Sequence, residues 1–353
     1  MDKKLQTILE FAVSEKASDI HILPGSFPVI RKDGELFSLT HFDVITAPES
    51  EKMLFSLLDT ELKDRILKAK DLDFSFYLNE TTRFRVNVYL QFNGWAGAFR
   101  FIPNEIKNIE ELNLPPILHE FLGRRQGLIL ITGPAGMGKS TTLAAMVDEI
   151  NHNRQDHIIT IEEPIEYVFT PDKSVISQRE IPTHSPTWHR ALKAALREDP
   201  DVIMIGELRD ALSISIALTA AETGHLVLAT LHTNSASQTI DRIIDVLPES
   251  QKSQARLQLA STLIGVLSQR LVLRVTGGRV PACEVLIANN AVRNLIRENK
   301  VYQIDNVIDT SLSEGMISLD RSLANLVQLG HISLEKALEF SLKPERLKYL
   351  LEQ

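Results

Sequence analysis

An α/β fold built on a mostly parallel sheet is what this chain predicts, and three observations carry that expectation. Short apolar runs at residues 127–132, 157–161, 202–205 and 226–230 read as buried strands. Stretches of helical spacing separate them, as parallel neighbours require, since a crossover must return the chain to the same end of the sheet. A glycine-rich turn, Gly133-Pro134-Ala135-Gly136-Met137-Gly138-Lys139-Ser140-Thr141, joins the first run to a helix-like segment beginning at Thr142. Among phosphate-binding-turn architectures this alternation fits the RecA-like one. The chain has 353 residues, 44% of them hydrophobic and 24% charged, which suits a soluble globular protein of two domains, each with its own core.

The first hundred residues predict a smaller α+β domain. Leu5, Ile8, Leu9 and Val13 recur at helical spacing over residues 4–16, and a strand follows at residues 19–22. The stretch 31–36, with Asp33-Gly34 at its centre, reads as a hairpin turn between strands. A helical segment is expected over residues 50–67, then strands at 83–89 and 95–101. Ile102-Pro103-Asn104 opens a linker that Leu114-Pro115-Pro116 closes, because proline pushes its predecessor toward extended backbone. The expected division is therefore 1–102, a linker at 103–116, and a second domain at 117–353. From Ser318 onward Leu319, Leu323, Leu326, Leu334 and Leu338 mark an apolar helical stripe, with a stop at Gly330 and a restart at Ser333.

Composition narrows the function classes. A net charge of −8 argues against a general nucleic-acid binder, which carries a basic surface. One cysteine, Cys283, leaves no intrachain disulfide and no multi-cysteine zinc site, and fits a reducing compartment. The opening residues lack the apolar core of a secretory signal. The apolar stretch 263–273 is interrupted by Ser268, Gln269 and Arg270, too short and too polar to span a bilayer. A cytoplasmic protein is expected.

The glycine-rich turn carries the first piece of chemistry. Glycines let several backbone N–H groups converge on phosphate oxygens, and the following helix adds the positive end of its dipole. Lys139 is placed to reach the β- and γ-phosphates and the Ser140 hydroxyl to ligate Mg²⁺, so ATP with Mg²⁺ is the expected ligand pair. Hydrolysis also needs a carboxylate that orients or deprotonates water. The run 202–205 delivers Glu207 to the carboxyl edge of the sheet, where ligands of parallel sheets bind. Glu207 could instead cap the helix beginning near Asp210; the phosphate turn favours catalysis.

The run 157–161 brings Glu162, Glu163 and Glu166 to the same edge. Three neighbouring carboxylates need a balancing cation, for which Mg²⁺ is the candidate; a solvated acidic turn is the bland alternative. His225 and His232 flank the last run and would link phosphate state to neighbouring elements. Zinc is disfavoured, because no further ligand cluster lies near them.

Taken together, these motifs resemble the secretion-type hexameric ATPases, and among them the type IV pilus retraction ATPases, over nearly the whole chain. Residues 133–142 stand at that family's Walker A position, Thr160-Ile161-Glu162-Glu163-Pro164-Ile165-Glu166-Tyr167 at its aspartate box, and Gly206-Glu207 in its Walker B region. Glu222-Thr223-Gly224-His225 with Thr230-Leu231-His232-Thr233 resembles its histidine box, and Ala17-Ser18-Asp19-Ile20-His21 with Arg83-Phe84-Arg85-Val86-Asn87 its N-terminal signatures. Ala291-Val292-Arg293-Asn294-Leu295-Ile296-Arg297-Glu298 is similar to the family's retraction-associated motif. Glu163 stands where the family usually has Asp, and Ala135 and Met137 replace commoner Thr and Ser.

The resemblance implies a PAS-like N-terminal domain and a homohexameric ring with nucleotide held between the two domains. It makes Glu207 general base or water-orienting group, has Glu163 help position Mg²⁺, and has His225 and His232 couple phosphate state to domain rotation. Arg85 and Arg100 are the arginines that would reach the phosphates, with Arg190 a weaker third. The implied work is pilus disassembly and twitching motility. It passes to an inner-membrane pilus platform protein and only indirectly to pilin, from a cytoplasmic position peripheral to the membrane. Three other readings remain: an assembly or type II secretion ATPase, a DNA-translocating motor, and a nucleotide-gated scaffold with little turnover.

Overall fold

Asp2 caps the first helix, α1 (Lys3–Ser14), by accepting the N–H groups of Lys4 and Leu5, and the apolar stripe Leu5, Ile8, Leu9 and Ala12 is fully buried. In the computed structural model this helix belongs to the first of two compact units, Met1–Glu105 and Ile106–Gln353. Residues 1–32, 34–79, 82–102 and 105–352 are described; Asp33 of the expected turn and Pro103 and Asn104 of the expected linker lie outside them.

In the first unit the chain continues through β1 (Asp19–Ile22), β2 (Val29–Lys32), β3 (Glu35–Ser38), α2 (Ala47–Phe55), α3 (Thr60–Ala69), β4 (Asp71–Asn79), β5 (Thr82–Gln91) and β6 (Gly94–Ile102). The six strands form one antiparallel sheet in the order β3-β2-β1-β6-β5-β4. Its buried face places Ile20, Ile22, Phe84, Val86, Val88 and Phe99 against the helices. The single helix expected over residues 50–67 is two, because Asp59 accepts the N–H of Leu62 at 2.8 Å and starts a new helix.

The second unit begins earlier than expected. Much of the expected linker is part of its core: Ile109 and Leu114 are buried beside α4 (Ile117–Leu122). Pro116 stands at the N-cap of α4 with helical backbone angles, so the prolines start a helix here, and the apolar residues between the charges of 105–114 were the signal for the packing.

The unit then runs through β7 (Gly127–Thr132), α5 (Lys139–Asn153), β8 (His157–Glu162), β9 (Val175–Glu180), α6 (Trp188–Ala195), β10 (Val202–Ile205), α7 (Ala211–Glu222), β11 (Leu226–Leu231), α8 (Ala236–Asp245), α9 (Glu249–Thr262), β12 (Leu263–Leu273), β13 (Arg279–Ile287), α10 (Asn290–Arg297) and α11 (Ile304–Thr310). The sheet has seven strands in the order β13-β12-β7-β11-β10-β8-β9, parallel except for the β12–β13 pair. Both faces are covered. Leu128 and Leu130 point into a core shared with α6 to α10, while Ile129 and Ile131 point into the one shared with α4 and α5. The four strands read from apolar runs are thus the central ones. Those missed, β9, β12 and β13, are amphipathic or interrupted by polar residues.

The C-terminal helices α12 (Leu319–Gln328), α13 (Leu334–Phe340) and α14 (Pro344–Leu351) pack on β12 and β13 through Leu319, Leu323 and Leu347. Gly330 and Ser333 stop and restart them as expected, although Leu334, on the first turn of α13, is exposed. No helix among the described residues is long and apolar enough to cross a membrane.

Candidate functional site

The glycine-rich turn lies between β7 and α5, at the carboxyl edge of the parallel strands. Gly133 has φ +143° there, and a Cβ on it would sit 2.5 Å from the carbonyl of Gln269 on β12. Only glycine lets the turn pass so close to the neighbouring strand. Gln269 in turn braces the loop: its Nε2 donates to the Met137 carbonyl at 2.5 Å and its Oε1 accepts from the Thr142 hydroxyl at 2.9 Å. Thr141 and Tyr167 share a hydrogen bond of 2.9 Å on the other side.

Lys139, the first residue of α5, folds back over the turn. Its Nζ donates to the carbonyls of Gly133 and Pro134, both at 2.9 Å, and lies 3.3 Å from Nδ1 of His232. Burial lowers its pKa, against the pull of Glu207 and Glu166. Ser140 follows it, with its hydroxyl in no hydrogen bond among the described residues.

Glu207 leaves the end of β10 as the strand pattern predicts. The preceding Gly206 donates its N–H to Ile161, and its carbonyl accepts from the Thr230 hydroxyl, which ties the segment to β8 and β11. One carboxylate oxygen of Glu207, Oε2, accepts from Arg209 Nε at 2.9 Å, and the other, Oε1, lies 3.5 Å from His232 Nε2. His232 reaches both Lys139 and Glu207 because β11, whose end it follows, lies between β7 and β10.

His225 does not join them. It precedes β11 at the opposite edge of the sheet, where its Nδ1 sits 2.9 Å from the Ala220 carbonyl at the end of α7. The six residues of β11 separate two histidines that look paired in the sequence, a span of about 23 Å at about 3.3 Å per residue.

The three carboxylates expected to share a cation part company. Glu162 turns inward, accepting from Thr160, Gln178 and the Glu166 N–H, and burial raises its pKa to about 7. Glu163 turns outward and accepts from Arg209 Nη1 at 2.6 Å and Trp188 Nε1 at 2.9 Å, both on Oε2. Glu166 acts on Lys139 through space. Among the described residues no three His, Cys, Asp or Glu side chains converge as a metal-binding group. Hydrogen bonds and Arg209 therefore balance this charge. The Ser140 hydroxyl and the Glu163 carboxylate are oxygen donors of the kind Mg²⁺ takes, a cation that uses few protein ligands and completes its shell with phosphate and water.

Arg85 and Arg100 occupy neighbouring strands of the first unit, directly opposite one another in the β5–β6 ladder. Two like charges at that register repel, and each has a carboxylate at hand. Arg100 Nε donates to Asp19 at 2.8 Å, and Arg85 Nε lies 3.7 Å from Asp73. Arg190 is exposed on α6.

The retraction-associated stretch forms α10. Its apolar residues Val292 and Ile296 are buried, while Arg293 donates to the carbonyls of Ala260, Ser261 and Leu263 that end α9. Here a guanidinium satisfies backbone acceptors a helix end leaves open.

Sequence reading missed Gln269, Tyr167, Trp188 and Arg209. The signal for Gln269 was a polar triplet inside an otherwise apolar run: Ser268, Gln269 and Arg270 are all buried. Arg209 and Trp188 gave no local signal.

The family model described as Type II/IV secretion system protein matches residues 1–306. The type IV pilus retraction ATPase PilT of Pseudomonas aeruginosa is 42% identical over 338 residues, covering 96% of this chain and 98% of the relative. A twitching motility protein of Neisseria gonorrhoeae is 46% identical over 311 residues, 88% of this chain and 83% of its own. The crystal structure of the pilus retraction motor PilT with bound ADP superposes with a TM-score of 0.90 at 44% identity, covering 98% of each chain.

Proposed function

We propose, from the premise that this chain belongs to the type II/IV secretion system protein family, that it is an ATPase motor powering the retraction of type IV pili. One observation carries the enzymatic part: Lys139, His232 and Glu207 form a continuous set at the carboxyl edge of the sheet, beside a glycine-rich turn. Similarity over nearly the full length to a retraction ATPase and to a twitching motility protein supports the direction of work.

In this reading the backbone N–H groups of residues 133–141 and the N-terminus of α5 hold the phosphates, and Lys139 exchanges its carbonyl partners for phosphate oxygens. Glu207 orients or deprotonates the attacking water through an oxygen on the His232 side. His232 touches both phosphate-facing lysine and catalytic carboxylate, and so senses their state. Mg²⁺, held by Ser140 with help from Glu163, would neutralise charge on the phosphates. Arg85 and Arg100 would add guanidinium forks to the same task. The motor works as a homohexamer on an inner-membrane pilus platform protein, and through it on pilin, from the cytoplasmic side.

Deleting the gene and counting surface pili tests the direction. Retraction requires more pili with twitching lost; a strain without pili would establish assembly instead. ATP hydrolysis by the purified protein, with and without DNA, tests the class, because strong stimulation by DNA would sink the pilus reading.

A further inference from the structure

Arg209 spends two different N–H groups on two different carboxylates. Nε holds Oε2 of Glu207 at 2.9 Å and Nη1 holds Oε2 of Glu163 at 2.6 Å. Trp188, on the first turn of α6, donates its indole N–H to that same Glu163 oxygen at 2.9 Å. The Arg209 guanidinium carbon also lies 5.8 Å from the centre of the Trp188 ring. The next pair in sequence repeats the connection, His189 Nε2 to Asp210 at 2.9 Å. The segment after β10 is thus tied to α6 twice.

Stability does not account for this arrangement. Arg209 is 50% exposed and its partners 36% and 27%, and ion pairs that open to water contribute little. A planar guanidinium gives direction instead, because its N–H groups diverge at fixed angles. With Oε2 of Glu207 held, the carboxylate can rotate only within narrow limits, and Oε1 is left facing His232 and, beyond it, Lys139.

We propose that Arg209 is a positioning residue for hydrolysis: anchored on Glu163 and Trp188, it fixes the orientation in which Glu207 presents Oε1 to the water. The inference rests on the reading of Glu207 as the water-orienting group. Glu163 gains a definite task from it. The longer side chain, standing where the family usually has Asp, reaches the indole N–H of Trp188 and the guanidinium together.

The test compares Arg209→Gln, Arg209→Lys and Glu207→Gln with the unaltered protein. Steady-state kinetics, the equilibrium affinity for a fluorescent ADP analogue, and tryptophan emission are read for each. Emission is measured on a Trp95→Phe background, so that Trp188 alone reports. Arg209→Gln is expected to lower kcat about tenfold to a hundredfold, with KM and ADP affinity within about twofold, because orientation is lost and phosphate binding is kept. Trp188 emission should change in the nucleotide-free protein. Arg209→Lys keeps the charge and the stem but cannot bridge both carboxylates, and should show the same split more weakly; it serves if the glutamine variant does not fold. Unchanged kcat in both Arg209 variants, or kcat and ADP affinity falling together, overturns the inference. Should Glu207→Gln itself retain full turnover, the failure belongs to the underlying reading of Glu207.

Discussion

The amine of Lys139 sits 3.3 Å from Nδ1 of His232. The ring's other nitrogen, Nε2, faces Glu207 Oε1 at 3.5 Å. One imidazole therefore connects Lys139 with Glu207. A nucleotide that draws Lys139 away from the ring removes one of its two partners.

Lysine and glutamate in this chain of contacts should fail in different ways. Lys139→Ala is expected to weaken nucleotide binding, measured by titration with a fluorescent ADP analogue. Glu207→Gln should bind the analogue normally while turnover falls about a hundredfold or more. Equal loss of binding in both variants would contradict the division of labour.

The two histidines offer a sharper contrast. His232→Ala should reduce kcat about tenfold or more, because the link between Lys139 and Glu207 is gone. His225→Ala loses a contact to the Ala220 carbonyl at the other edge of the sheet. Its cost should appear as about 1 kcal/mol of stability, with turnover and nucleotide affinity little changed. A collapse of nucleotide affinity in the His225 variant would refute the placement.

Glycine positions in the phosphate turn are not equivalent. Gly133→Ala would push a methyl group to 2.5 Å from the Gln269 backbone, so either the turn or β12 must move and nucleotide affinity should be lost. Gly136 has φ +75°, and a Cβ added there would meet nothing within 4 Å. Alanine at this position should cost about 1–2 kcal/mol for the left-handed backbone alone and leave measurable binding. Calorimetric titration with ADP and thermal melts of both variants separate the two effects.

A pH dependence follows from Glu284 on β13. It is buried, accepts from the Ala236 N–H at 2.7 Å, and its pKa is raised to about 7 by burial, with Asp305 and Asp320 adding to the rise. The unfolded chain titrates this group near about 4.3. Between those values the folded protein binds the extra proton, so its contribution to stability is present below the unfolded pKa and is lost as pH rises through about 7. Glu284→Gln keeps a carbonyl acceptor and removes the titration. Melting temperatures should show the variant gaining on the unaltered protein at pH 8 relative to pH 5, by on the order of 2 kcal/mol. A difference independent of pH would rule out the linkage.

The candidate site was legible in the sequence where its pattern is local. The turn 133–141, the lysine and serine that end it, and the carboxylate after β10 are each announced by neighbours within a few residues, since backbone geometry and strand register dictate them. The linker expected at 103–116 failed for the opposite reason. Prolines report local extension, but only contact with α4 decides that Ile109 and Leu114 are core.

What the sequence by itself determined, then, is the family, the central strands and the edge of the sheet at which the glycine-rich turn and Glu207 lie. The tertiary structure decided which residues meet there. Strand order put β11 between β7 and β10, and so chose His232 over His225. It brought Gln269 under the phosphate turn from 132 residues away and set Trp188 beside Glu163 and Arg209. It also sent Glu162 inward while Glu163 faced out. Such pairings depend on how strands are ordered and helices laid across them, which no local run of residues encodes.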